Sequence, residues 1–214
     1  IESLLGYFSF IRNDIVPLML EGSITKDLLL NLCKIYKPQY IWLSNEKANF
    51  FPTKEVIFSY CNYSLVKFSE MNEFPLNKDL ALLLTTSGST GSPKLVRISH
   101  VNLNANASSI AQYLSINEEE KPITTLPMSY SFGLSIVNSH LISGANILLT
   151  DKSVIQREFW NFFNEQGATS LSGVPYTFEM LKKIRFFKMD LPTLRVLTQA
   201  GGKMHADTNF DYAN

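Results

Sequence analysis

Residues 85–94 combine the side chains and backbone flexibility that a phosphate-binding loop needs. This stretch reads TTSGSTGSPK, so hydroxyl residues surround Gly88 and Gly91, and Lys94 follows. Glycines let backbone N–H groups turn inward as an anion nest, hydroxyls add neutral donors and a lysine adds a point charge. The residues on both sides have strand-like patterns. The sequence therefore predicts a solvent-accessible loop that connects two strands and binds a polyphosphate.

Two other interpretations of this loop are a Walker loop and a flexible hairpin without a ligand. A Walker loop requires four residues between its glycines, a Ser or Thr after its lysine and a following helix. Here two residues separate Gly88 from Gly91, and Leu95 follows Lys94, which excludes that motif. Taken alone, a Ser- and Gly-rich tract is also typical of a flexible hairpin without a ligand.

The loop and its continuation through Leu103 resemble the phosphate loop of the adenylate-forming (AMP-binding) superfamily. That superfamily includes acyl-CoA synthetases, luciferases and adenylation domains of non-ribosomal peptide synthetases. Three later segments agree with it in order and approximate spacing, namely LPMSYSFG at 126–133, SGVP at 172–175 and LRVLTQAGG at 194–202. The resemblance extends over about residues 80–203, whereas residues 1–79 match only in general αβ character.

The resemblance implies a role for several residues of this sequence. The ATP phosphates would be bound by Thr86, Ser87, Gly88, Ser89, Thr90, Gly91 and Lys94, of which Thr90 and Lys94 are the candidate catalytic residues. Gly201 and Gly202 would form the turn that lies against adenine. Tyr130 would line the site of the acid or its thiol tunnel, and Gly133, in the segment that borders the site of the acid, would allow close approach. The Gly173-Val174-Pro175 segment also matches, but a strand-to-helix turn with proline in the first helical turn explains it without a ligand.

Some parts of the family pattern differ or do not occur in these 214 residues. Leu95 stands where the family usually has glycine, and Thr85 where an aromatic is common. The Glu that helps to hold Mg²⁺, the ribose-binding Asp and the adenylation Lys should all follow the Gly-Gly turn. The sequence is therefore expected to be a fragment of the N-terminal AMP-binding domain, inactive alone and without the C-terminal domain. Within it, residues 1–79 form an αβ lead-in, and residues 80–214 carry the phosphate loop and the acyl and adenine region.

By resemblance, the function is activation of a small carboxylic acid by ATP and Mg²⁺, followed by transfer of the acyl group to the thiol of CoA. An alternative acceptor is the phosphopantetheine arm of an acyl carrier protein. A third hypothesis, from another class, is a non-catalytic nucleotide-binding or scaffold relative.

Helix and strand patterns alternate along the chain and predict an α/β fold, with layered sheets covered by helices. Thr25 is expected to cap a helix that ends before Pro38, and strands are expected at 39–43, 55–60, 64–68, 80–86 and 95–98. Later strands are expected at 123–126, 145–150, 168–172 and 194–198. Later helices are expected at 99–114, 132–141, 153–166 and 175–187.

Composition narrows the functional classes. The chain is 45% hydrophobic and 18% charged, with 19 basic and 19 acidic residues, which indicates a folded protein without a basic footprint for nucleic acid. No apolar run reaches the length of a transmembrane helix. Two cysteines, interpreted as buried reduced thiols, favour a cytoplasmic setting. Three widely spaced histidines, His100, His140 and His205, predict no metal site built from side chains.

Overall fold

The computed structural model describes residues 1–68, 75–85, 94–204 and 212 of the chain. The chain divides into two compact units, Ile1–His100 and Val101–Asn214. The helices of the first unit are α1 Glu2–Arg12, α2 Lys26–Tyr36 and α3 Asn45–Ala48. Its strands are β1 Leu18–Met19, β2 Tyr40–Ser44, β3 Glu55–Tyr60, β4 Tyr63–Lys67, β5 Leu80–Thr85 and β6 Leu95–Ser99. Both the predicted cap and the predicted stop of α2 are confirmed, because the Thr25 hydroxyl accepts a hydrogen bond from the Leu28 N–H and the helix ends at Tyr36.

The first unit contains two three-stranded sheets. In one, β4 lies between β2 and β3, and both pairings are antiparallel. In the other, β5 lies between β1, which is parallel to it, and β6, which is antiparallel. The short β3–β4 and β5–β6 connections thus join antiparallel neighbours, whereas parallel neighbours would need a longer crossover.

The second unit has the parallel arrangement that strands alternating with helices produce. Helix α4, His100–Tyr113, begins at the unit boundary, and it is followed by β7 Pro122–Ile123, α5 Ser131–Ile142, α6 Arg157–Gln166, β8 Ser170–Gly173, α7 Pro175–Lys183 and β9 Val196–Gln199. Strand β8 pairs in parallel with β7 on one side and with β9 on the other. Phe159 and Phe163 of α6, Leu171 of β8, and Phe178 and Leu181 of α7 form one buried cluster. The aromatic stretch at 159–163 therefore contributes to the core, as its spacing predicts.

Four predicted elements of the second unit differ in extent by three residues or more. The strand predicted at 123–126 is observed at Pro122–Ile123. The predicted strand 145–150 is reduced to a single parallel bridge between Ile123 and Leu148. The Thr124 hydroxyl donates to the carbonyl of Leu148 at 3.3 Å and accepts from the N–H of Thr150 at 3.1 Å. The Leu148 carbonyl already accepts from the Thr124 N–H in the bridge, and the Thr124 hydroxyl holds the Thr150 N–H that the next ladder bond would use.

The other two differences concern helix ends. The helix predicted at 153–166 begins at Arg157, because the Gln156 side chain accepts from the Ser153 N–H and closes a turn before the helix. The helix predicted at 175–187 ends at Lys183, and a 3₁₀ turn at Phe186–Lys188 follows it. Arg185 separates the two with a φ of 60°, which an α-helix does not accommodate.

Candidate functional site

The predicted phosphate loop joins two strands, as expected. Strands β5 and β6 are antiparallel, and their pairing reaches Thr85 and Leu95, the residues nearest the loop. Lys94 is exposed and immediately precedes β6. The other candidate phosphate-binding residues lie outside the described residues: Thr86, Ser87, Gly88, Ser89, Thr90 and Gly91. The solvent accessibility of the loop and the roles of its residues stay predictions.

The other candidate residues lie at one edge of the parallel sheet in the second unit. Because β7, β8 and β9 are parallel, the segments that follow them leave the sheet on the same side. Ligands of open α/β sheets bind in the crevice at this carboxyl edge. The segments are residues 124–127 after β7, Val174 after β8, and residues 200–202 after β9.

Gly201 and Gly202 form an exposed turn after β9 that a side-chain amide holds in place. The Gln199 Nε2 donates to the carbonyl of Gly202 at 2.9 Å and to that of Ala200 at 3.1 Å. Gly201 has a φ of 84°, in the left-handed region that favours glycine. The turn therefore presents bare backbone at the carboxyl edge, which fits the close approach of a flat ring.

Tyr130 lies against this turn. The residue is the N-cap of α5, and its side chain is 36% exposed. A Cβ atom on Gly201 would collide with the Tyr130 hydroxyl and would lie 3.1 Å from Cγ1 of Val174. The structure therefore brings together Tyr130, predicted for the acyl side, and Gly201, predicted for the adenine side.

Gly133 is buried within α5, and its small size has a packing explanation. A Cβ there would collide with the carbonyl oxygen of Pro127 and would lie 3.0 Å from that of Leu126. The group that approaches Gly133 closely is main chain of residues 126–127. Direct contact of Gly133 with a substrate stays a prediction.

The turn between β8 and α7 agrees with its interpretation as scaffold. Pro175 lies in the first turn of α7, where a missing N–H removes no helical hydrogen bond. A Cβ on Gly173 would lie 2.7 Å from Cβ of Thr177, so the glycine permits close packing of strand and helix.

Sequence reasoning missed a cavity of about 540 Å³ at the same carboxyl edge. It is lined by residues 124–127, residues 150–155, Val174, and Tyr176, Thr177 and Met180 of α7. Its volume falls within the range of small-molecule pockets, which is about 300–1,000 Å³. The sequence contained only an indirect signal for this cavity. Its lining residues follow separate predicted strands, and the carboxyl ends of those strands lie at one edge of the sheet.

The titratable groups described in the structure do not form a metal site. No cluster of three or more His, Cys, Asp or Glu side chains occurs among the described residues, and His205 lies outside them. His140 is 5% exposed and its Nδ1 lies 2.8 Å from the Ile136 carbonyl. Burial lowers the His140 pKa, although the Ile136 carbonyl and the charge of Glu120 oppose this effect. His140 is therefore a neutral core residue.

The two cysteines differ, which corrects the expectation that both are buried. Cys33 is buried on α2, and burial raises its pKa to about 11. Cys61 is exposed in the β3–β4 turn, with a φ of 48°. The apolar strand β3 before it favours a buried neighbour, but the tight turn carries Cys61 away from the sheet.

Comparison with known proteins decides the family. The family model described as AMP-binding enzyme matches residues 34–211. This chain belongs to the AMP-binding enzyme family. The chain is 32% identical over 134 residues to acyl-CoA synthetase ALT10 of Alternaria alternata and 28% identical over 134 residues to surfactin synthase subunit 2 of Bacillus subtilis. These matches cover 61% and 60% of this chain, respectively.

The fold of this AMP-binding family member also matches solved structures. Its similarity to ATP-bound MatB from Rhodopseudomonas palustris has a TM-score of 0.76 at 19% identity, and the match covers 99% of this chain and 45% of MatB. This likeness confirms the predicted α/β fold of adenylate-forming enzymes. The chain spans only part of its relatives, with 23% of the Alternaria protein and 4% of the Bacillus protein aligned. Among the described residues, no helix is long and apolar enough to cross a membrane.

Proposed function

We propose that this AMP-binding protein activates a carboxylic acid with ATP and transfers the acyl group to the thiol of CoA. The observation that carries the proposal is the family match over residues 34–211, which includes the loop between β5 and β6. In the first step, a carboxylate oxygen attacks the α-phosphorus of ATP, an acyl-adenylate forms and pyrophosphate leaves. In the second step, the thiol sulfur attacks the acyl carbon, a thioester forms, and AMP and the thiol proton are released.

The loop residues would stabilise the charge that develops during the first step. Negative charge accumulates on the oxygen between the α- and β-phosphorus atoms as pyrophosphate leaves. Donors that are already in place at this oxygen stabilise the transition state more than the ground state. We assign this role to Lys94 and Thr90, with Thr86, Ser87, Gly88, Ser89 and Gly91 as further phosphate contacts.

The exposed backbone at Gly201 and Gly202 would lie against the purine, and Tyr130 beside it would border the reacting carboxylate. Mg²⁺ would neutralise charge on the phosphates when bound. The described residues do not supply a Mg²⁺ ligand set, so we assign none of them to it. We also propose that a polypeptide of residues 1–214 alone is inactive, because the family's Mg²⁺-binding Glu, ribose-binding Asp and adenylation Lys would follow the Gly-Gly turn.

The proposal is tested by acid-dependent exchange of labelled pyrophosphate into ATP, catalysed by the full-length gene product. Lys94→Ala and Thr90→Ala should each lower the exchange rate. For Lys94, a lost hydrogen bond to a charged group is worth about 1.5–3 kcal/mol, equivalent to roughly 10- to 150-fold in rate. Lys78→Ala, at another exposed lysine of the first unit, is the matched control and should exchange like the wild type. Wild-type rates for both loop variants, at saturating and subsaturating ATP, would exclude a catalytic loop.

A second assay separates the remaining alternatives. The protein is supplied with acid, ATP and either CoA or a phosphopantetheinylated carrier protein, and the thioester product is measured. Thioester on the carrier protein alone would favour the adenylation-unit alternative, which the likeness to surfactin synthase subunit 2 supports. Nucleotide binding without exchange for any acid would favour a non-catalytic relative.

A further inference from the structure

The cavity at the carboxyl edge shares a wall with the Gly-Gly turn. Val174 lines the cavity, and its Cγ1 lies 3.1 Å from the position that a Cβ on Gly201 would occupy. One side chain therefore separates the cavity from the turn proposed to hold the purine. A molecule that fills the cavity would lie next to a nucleotide at that turn.

The interior of the cavity is mainly apolar. Val154 is 8% exposed, and it lines the cavity together with Leu126 and Met180. Four threonines also line the cavity, Thr124, Thr125, Thr150 and Thr177, and two of them have committed their hydroxyl protons to main-chain oxygens. Thr124 donates to the Leu148 carbonyl, and Thr125 donates to the Ser172 carbonyl. Neither proton is available to a ligand without the loss of a hydrogen bond within the protein.

The charged side chains that line the cavity are exposed. Lys152 Nζ lies 3.2 Å from Asp151 Oδ1, with the side chains 44% and 85% exposed, respectively. Ile155 and Tyr176 are also exposed, at 59% and 65%. The charges of the pair cancel and lie in water, so they provide no buried counter-charge for an ion inside the cavity.

We propose that this cavity binds the body of the carboxylic acid, and that it selects acids with an apolar aryl or branched alkyl body over acids with a second charged group. The inference rests on the proposed function and names its substrate class. A second carboxylate or an ammonium group would lose its hydration inside the cavity without a buried group of opposite charge, which is costly. An apolar body would instead bury its surface against Val154, Leu126 and Met180.

The test uses Met180→Trp, which fills the cavity from α7. Lys183→Trp is the matched control, because it adds the same ring at an exposed position of the same helix outside the cavity lining. Binding of benzoate, isovalerate, malonate and L-aspartate is measured by saturation-transfer NMR without ATP. The kcat/KM for acid-dependent exchange is measured with the same acids and the full-length gene product.

We expect the wild type to bind and use benzoate and isovalerate at least about 10-fold better than malonate and L-aspartate. Met180→Trp should lose most of that binding and lower kcat/KM for the apolar acids about 10-fold or more, while the KM for ATP stays unchanged. Lys183→Trp should behave like the wild type. Met180→Ala, which widens the cavity, should raise kcat/KM for phenylbutyrate relative to benzoate, and this opposite change separates a pocket effect from misfolding.

The outcomes distinguish this inference from the proposed function. Equal kcat/KM for benzoate in Met180→Trp and Lys183→Trp would overturn the pocket assignment, while exchange in both would leave the proposed function intact. Preference for malonate or L-aspartate would overturn the selectivity. If no acid supports exchange but benzoate binds and Met180→Trp abolishes binding, the cavity stands as a site for apolar acids and the proposed function fails.

Discussion

Replacement of Gly201 by alanine should destabilise the second unit by about 2–3 kcal/mol, because backbone strain and a steric contact both oppose the added methyl group. Gly201 has a φ of 84°, and the left-handed conformation costs an L-residue about 1–2 kcal/mol. The methyl group would also collide with the Tyr130 hydroxyl. That hydroxyl is the end of a side chain that is 36% exposed, so it can move at a cost of about 0.5–1.5 kcal/mol for a strained rotamer.

The two contributions can be separated by Tyr130→Phe, which removes the hydroxyl that the methyl group meets. In the Gly201→Ala background, Tyr130→Phe should recover about 1 kcal/mol, within the range for a strained rotamer, and the backbone strain should remain. Gly202→Ala is the matched control, because a methyl group there would meet Cγ of Pro175 at 3.3 Å and Gly202 has no positive φ. Its cost should stay within about 0.5–1 kcal/mol.

The assay is urea unfolding at equilibrium, followed by the fluorescence of Trp160 in a Trp42→Phe background, so that the signal comes from the second unit. Linear extrapolation gives the free energy of unfolding of each variant, and equal m-values show that the denatured states are comparable. A loss of less than about 0.5 kcal/mol for Gly201→Ala, the size of an ordinary surface substitution, would refute the left-handed turn. Equal stabilities of Gly201→Ala with and without Tyr130→Phe would refute the contact.

Three further predictions concern packing and thiol chemistry. Gly133→Ala should destabilise the protein by about 1–3 kcal/mol in thermal unfolding, the reverse of the usual gain in a helix, because the Pro127 carbonyl cannot move freely. Gly22→Ala, with nothing within 4 Å, is its control, and a stabilising Gly133→Ala would contradict the packing. At pH 8, a thiol reagent should modify Cys61 alone in the native chain, and two rapidly labelled thiols would contradict the burial of Cys33. Burial raises the Cys33 pKa from 9.0 to about 11, so as pH rises the thiol ionises first in the unfolded state. The free energy of unfolding should therefore fall between pH 9.0 and about 11. Cys33→Ala should remove this contribution to the pH dependence.

Local signals in the sequence predicted several elements closely. The strand predicted at 55–60 coincides with β3, and the cap at Thr25 coincides with the start of α2. The strand-like patterns on both flanks of the phosphate loop predict its position between two strands, and β5 and β6 confirm it. These features depend on interactions within a few residues, so a single sequence contains the information.

Features that depend on residues far apart in the sequence were harder to predict from it. The 145–150 strand is short because the hydroxyl of Thr124, far away in sequence, accepts from the Thr150 N–H that the next ladder bond would use. The contact between Tyr130 and Gly201 joins a helix start to a turn after β9, and periodicity does not predict such contacts. The cavity was missed for the same reason, because its walls come from three segments that are far apart in the sequence.

The pairing of β1 with β5 gives the amino-terminal part of the chain an influence on the loop. The Leu83 N–H donates to the Pro17 carbonyl at 2.9 Å, and Leu18 and Met19 continue the pairing along β5. Without β1, β5 would become an edge strand with open hydrogen-bonding groups, which invite pairing with other chains. A shortened chain that begins after Met19 would therefore keep every residue of the loop and still expose the strand that leads into it to aggregation.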